Sequence, residues 1–150
     1  MRHHVHPDGT PPVTGYSQAV SFTGPMVVVS GQVPLDADGH LVGPDDVRAQ
    51  TRQVFHNLRA ALAAAGCDLS DVVKLTVFLT AMGDLADFRA VRDEFVDPAR
   101  PPAASLVQVS GLVHPAFLVE IEALAAVRGP GPGGDPGRSG EPDAGPDPGQ

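Results

Sequence analysis

Residues 117–125 read Phe-Leu-Val-Glu-Ile-Glu-Ala-Leu-Ala, with Phe117, Val119, Ile121 and Ala123 on one side and Leu118, Glu120, Glu122 and Leu124 on the other. Side chains of a strand alternate between faces with period two, so this segment predicts a strand with one wholly apolar side. On its second side two carboxylates sit among leucines. A carboxylate so placed needs solvent, a partner or a substrate. An apolar strand face also needs a cover, and two stretches of the chain can supply one. Val47, Val54, Phe55, Leu58, Leu62 and Ala65 form a helical stripe, opened by Asp45 or Asp46 as N-cap and closed by Gly66 in a left-handed conformation. Leu85, Phe88, Val91 and Phe95 mark a second amphipathic helix, stopped by Pro98, Pro101 and Pro102.

Between these helices, residues 72–80 return to period two, with Val73, Leu75, Val77 and Leu79 on one face. Upstream, residues 18–22 and 27–31 flank Thr23-Gly24-Pro25 and predict a hairpin. Asp36-Ala37-Asp38-Gly39 is a further turn, leading to Leu41-Val42. Residues 105–109 and 117–126 complete the strands. The order is ββ-α-β-α-ββ, or a variant with a short extra strand at either end, which defines an α+β fold. Two helices cover one face of such a sheet. Leu118, Leu124, Val72 and Phe78 are expected on the other, which predicts packing against further copies of the chain.

The composition changes at Gly129. Residues 129–150 hold 14 Gly or Pro out of 22, four acids and one Arg. Such a segment buries too little apolar area to offset its ordering entropy, so one folded domain over 1–128 and a disordered acidic tail over 129–150 are expected. The net charge of −8 and a single lysine, Lys74, argue against nucleic acid as a partner. Cys67 is the only cysteine and suits a reducing cytoplasm. No apolar run approaches the roughly 18–20 residues that span a bilayer, so a cytoplasmic protein without membrane contact is expected.

Several motifs follow one another in a fixed order: Tyr16-Ser17-Gln18-Ala19, Val29-Ser30-Gly31-Gln32, Gln50 and Gln53 to Asn57-Leu58, Ala64-Ala65-Gly66, and Asp71-Val72-Val73-Lys74. Val77-Phe78-Leu79, Asp87-Phe88 and Val119-Glu120-Ile121-Glu122 continue the series. This ordered set, over roughly residues 10 to 128, resembles the Rid family (reactive intermediate deaminases, also called YjgF). The resemblance implies a chorismate-mutase-like mixed sheet with two helices on one face, in a homotrimer with sites in the clefts between subunits. It also implies hydrolysis of short-lived enamines or imines, such as 2-iminopropanoate, to the 2-keto acid and ammonia, with neither cofactor nor metal. Carried over by position, Glu120 positions or activates the attacking water, Tyr16 and Ser30 line the pocket, and Gly31 permits close backbone approach.

One position departs from the pattern. The family's Pro-Ala-Arg-Ser reads Pro102-Ala103-Ala104-Ser105 here, so Ala104 stands where an Arg grips the substrate carboxylate. That clamp makes charge-assisted hydrogen bonds worth roughly 1.5–3 kcal/mol each. Its loss predicts a substrate other than the standard small 2-imino acids. The alternative is a non-catalytic trimer that binds a small metabolite or a protein in the same cleft. Arg100, four residues early, is one candidate to replace the missing guanidinium, and Arg92, where relatives carry a polar residue on the second helix, is a weaker alternative.

The remaining candidates are weaker. His3, His4 and His6 form a flexible run without the outer partners that orient metal ligands, so no metal is assigned. His114 reads as a turn residue, His56 as a surface residue and Cys67 as a small packed thiol. The chain shows no phosphate loop, no Ser-His-Asp order and no metal-ligand spacing.

Overall fold

The alternating strand with Glu120 and Glu122 lies inside the main sheet, paired on both edges. A computed structural model of the chain describes residues 1–127; the tail expected at 129–150 lies outside the described residues. The elements are β1 (Arg2–His4), β2 (Ala19–Ser21), β3 (Met26–Gln32), α1 (Val47–Ala64), β4 (Val72–Leu79), α2 (Leu85–Arg92), β5 (Ala103–Gln108) and β6 (Val119–Ala126). The main sheet has the order β3-β6-β4-β5. β6 runs antiparallel to both neighbours, whereas β5 joins β4 in parallel through α2. The result is a mixed α+β fold.

Alternation decides what each face carries. Val119, Ile121, Ala123 and Ala125 of β6 pack with Leu75, Val77 and Leu79 of β4 under Val54, Phe55, Leu58 and Leu62 of α1 and Phe88 of α2. The opposite face carries Val28, exposed at 70%, Val107, exposed at 46%, and the half-buried Phe78 and Leu124. Among the described residues Val28 and Val107 remain open to solvent on that face.

Local signals place α1. Asp46 Oδ1 accepts from the backbone N–H groups of Arg48 and Ala49 at 2.9 and 3.0 Å. Asp46 is therefore the cap, and Asp45 takes the left-handed turn before it with φ 57°. Gly66 follows the helix at φ 72°, a conformation that costs a side chain but not a glycine.

The structure corrects four expectations. β2 and β3 do not form a hairpin: β2 pairs with β1, while β3 pairs with β6. β6 offers β3 a partner that continues the apolar core, whereas three-residue β2 could not. The N-terminal histidine run is not free, because His3 and His4 lie in β1. His3 Nδ1 bonds to the Pro101 carbonyl at 2.9 Å, and His4 Nε2 to Ser21 Oγ at 3.1 Å. Val72 belongs to the helix-side core, because the register of β4 against β6 shifts between Val72 and Lys74. Finally, α2 ends at Arg92 rather than continuing through Phe95. Tight bonds from Glu94 N to Val91 O and from Phe95 N to Arg92 O turn the chain. Phe95 then stacks on Phe55 with ring centroids 4.8 Å apart.

Side-chain amides of α1, buried at Gln50 and half-buried at Asn57, fix the loops that lead into the sheet. Gln50, fully buried, donates to the carbonyls of Gly43 and Ala116 at 3.1 and 2.9 Å and accepts from Leu118 N at 2.8 Å. Asn57 Nδ2 donates to the carbonyls of Val33 and Leu35 at 3.0 and 2.8 Å. Gln50 thus holds the start of β6, two residues from Glu120. Gln50→Ala leaves the Ala116 carbonyl and the Leu118 N–H unpaired, while the Gly43 carbonyl keeps the Asp46 N–H, and is expected to destabilise the fold by about 2–4 kcal/mol. Denaturant unfolding at one fixed protein concentration measures this. A loss below about 0.5 kcal/mol would show that water replaces the amide without cost.

Candidate functional site

Glu120 projects from β6 on the face away from the helices, opposite Phe78 of β4. β3, its other neighbour, loses register between Val29 and Gln32, a bulge that contains Ser30 and Gly31. The Glu120 carboxylate lies along this bulge so closely that a Cβ on Gly31 would overlap its Oε1. Glycine at 31 is thus a steric requirement of the carboxylate's position. Ser30 beside it is exposed. Glu122, two residues on, is also exposed and borders a shallow groove of about 180 Å³ with Val28, Lys74, Thr76 and Leu124. Lys74 Nζ donates to Ser105 Oγ at 2.6 Å there.

Tyr16 and Ala104 belong to the other side of the sheet. Ala104 pairs with Leu75, whose side chain enters the helix-side core, so its methyl points the same way. Buried Ser17 fastens the segment before β2 to β5. Its N–H donates to the Pro102 carbonyl at 2.9 Å and its hydroxyl to the Pro101 carbonyl at 2.5 Å. Tyr16 and Ala104 consequently border one cavity of about 350 Å³, closed by α2. Its walls are largely apolar, from Leu75, Val77, Leu85, Phe88 and Leu106.

Arg92 enters this cavity from the end of α2, with a side chain only 11% exposed. Its guanidinium lies across Gly15, which has φ 79°, and any Cβ at that glycine would overlap it. Nε and Nη2 both donate to the same oxygen of Asp93, at 2.9 and 2.7 Å. Arg100 is elsewhere. It is 69% exposed, lies 3.5 Å from Asp97, and borders a separate cavity of about 310 Å³ with Phe55, Arg59 and Pro102.

The sequence-predicted residues therefore divide into two groups. Glu120, Ser30 and Gly31 share the open face; Tyr16 and Ala104 share the helix-side cavity. One chain does not bring the groups together. Sequence reading missed the part of Gly15, a glycine directly before Tyr16 whose signal was its place at the edge of a motif. It also missed what Gln50 does, although the motif series contains it.

The other candidates are accounted for locally. His114 Nδ1 accepts from Ala116 N at 3.1 Å within a turn. His56 packs edge-on against Phe95 at 5.5 Å, and Cys67 is buried. Donor atoms of Asp36, Asp38 and His40 lie within 4.8 Å of one another. Asp36 closes this turn, however, by accepting from the N–H groups of Asp38 and His40 at 3.0 and 2.8 Å. The His40 N–H is the main reason its carboxyl sits below the usual range. The triad is a turn on the surface, with no further feature that points to an ion.

A mixed four-stranded sheet with both helices on one face, and a glutamate seated on a glycine bulge of the other, defines an α+β protein of the YjgF type. The family model described as Endoribonuclease L-PSP matches residues 8–127, and the chain belongs to this family, the Rid/RutC/YjgF proteins. The chain is 45% identical over 123 residues to Protein DfrA of Myxococcus xanthus, covering 81% of this chain and 92% of the relative. It is 40% identical over 115 residues to the 2-iminobutanoate/2-iminopropanoate deaminase of Salmonella typhimurium, covering 75% and 88%. Among solved structures, the Rid-family protein YyfB from Yersinia pestis matches with a TM-score of 0.77 at 36% identity, covering 83% of this chain and 97% of that one. No helix among the described residues is long and apolar enough to cross a membrane.

Proposed function

We propose that the protein is a cofactor-independent hydrolase of reactive enamines and imines, working in clefts between the subunits of a homotrimer. The observation that carries this reading is the Glu120 carboxylate seated on the Gly31 bulge beside exposed Ser30. It is an acceptor on the face opposite the cavity that holds Tyr16 and Ala104. A cleft in which the open face of one copy meets the cavity of the next unites the two groups. The uncovered apolar residues Val28, Phe78, Val107 and Leu124 supply the contact surface for such an assembly. Relatives named as 2-iminobutanoate/2-iminopropanoate and 3-aminoacrylate deaminases support the reaction class.

In this reaction Glu120 accepts a proton from water as the oxygen adds to the C=N carbon and the π electron pair moves onto the nitrogen. The same carboxyl then returns its proton to that nitrogen. Glu120 then carries the hydroxyl proton of this carbinolamine to the nitrogen as the C–N bond breaks, so the C=O bond forms, ammonia leaves and water is the only reagent consumed. Ala104 widens the cavity at the point where relatives carry an arginine, which favours a substrate larger than the standard 2-imino acids.

The test couples an L-amino-acid oxidase, as a source of 2-imino acids of graded size, to keto-acid detection. Faster keto-acid release with the protein present is expected, with the largest acceleration for branched or aromatic side chains. Release at the spontaneous rate for every imine would leave the alternative, a binding trimer without hydrolysis.

A further inference from the structure

We propose that the helix-side cavity binds an organic acid, with Arg92 as the carboxylate clamp in place of the arginine absent at position 104. The proposal rests on the reading that this cavity is the substrate-holding half of the cleft. Ala104 removes a guanidinium from β5, yet the cavity does not lack one: Arg92 reaches it from α2, and Arg89 borders it as well. No Asp or Glu lines it, although the chain as a whole carries a net charge of −8. Two cations and no anion around apolar walls match an anion with an apolar body.

The local geometry fits a clamp better than a surface ion pair. The Arg92 side chain is 11% exposed, whereas Asp93, its partner, is 63% exposed. Both donated bonds converge on one Asp93 oxygen, and Nη1 makes no hydrogen bond among the described residues. A guanidinium has five donors in a rigid fork, so donors remain for a second, bidentate acceptor. Gly15, in a left-handed conformation, leaves the space in which the fork lies. The clamp has moved from a strand to a helix, and the vacated volume beside Ala104 takes the substrate's side chain.

Calorimetry on the full chain at pH 7 tests this without turnover, using 2-oxo-4-methylpentanoate and its neutral methyl ester as probes. The wild-type protein is expected to prefer the acid by at least about tenfold. In Arg92→Met this preference falls to about unity while ester affinity is retained, since the apolar walls are untouched. Adding Ala104→Arg to Arg92→Met is expected to restore the preference. Equal wild-type affinity for acid and ester overturns the proposal, as does an acid preference that survives in Arg92→Met. Equal loss of both probes would also overturn it, because Arg92 would then only hold the Gly15 segment in place. If Arg92→Met does not fold, Arg92→Gln decides by the same ratio. Acid preference without imine hydrolysis would keep this inference and remove the hydrolase reading; hydrolysis without acid preference would do the reverse.

Discussion

Replacing Glu120 by Gln is expected to lower imine hydrolysis by at least about a hundredfold, the usual contribution of a positioned general base. The amide has the same length and number of heavy atoms, and the Gly31 bulge that receives the carboxylate receives it equally well. What disappears is the negative charge and the ability to take a proton from water. Fold and assembly should be unchanged, since Glu120 makes no salt bridge among the described residues and its strand is held by β3, β4 and Gln50. Glu122→Gln is the control: its side chain is exposed and lies along the strand toward Lys74 and Leu124, away from the bulge. Initial rates of keto-acid release, with circular dichroism and light scattering on the same samples, read the result. A Glu120→Gln rate equal to wild type would place the chemistry elsewhere or remove it.

Mixing two inactive variants is expected to create activity that neither possesses. Glu120→Gln removes the base from the open face. Ala104→Phe fills the cavity, where about 350 Å³ of space admits the ring without displacing the core. If each cleft joins the open face of one copy to the cavity of the next, random reassembly leaves about one quarter of clefts with both halves intact. Unfolding and refolding a 1:1 mixture should therefore recover a substantial fraction of wild-type rate from two near-zero parents. Light scattering on the reassembled protein should give three times the 15.5 kDa chain mass. A folded mixture with no activity would show that both halves come from one chain, and a monomer would remove the cleft altogether.

The two experiments probe different features of the chain, one local and one distributed over the sheet. That difference also separates what sequence determined from what it did not. Period two fixed β6 and the outward direction of Glu120, because side-chain alternation is a local property of an extended backbone. The Asp46 cap and the left-handed Gly66 set the limits of α1, again through contacts within a few residues. Partner choice was not local. β3 could satisfy its backbone with β2 or with β6, and only the shared core decided for β6. The shift between Val72 and Lys74 exchanges which valine faces the helices, and a one-residue irregularity leaves no mark on an all-valine pair. The placement of Arg92 combines the early end of α2 with the packing of Phe95 on the distant Phe55 and with the left-handed Gly15 at the other end of the chain. Alternation and capping are written residue by residue; which strands pair, and which guanidinium reaches the cavity, depended on the free energy of the whole packed sheet.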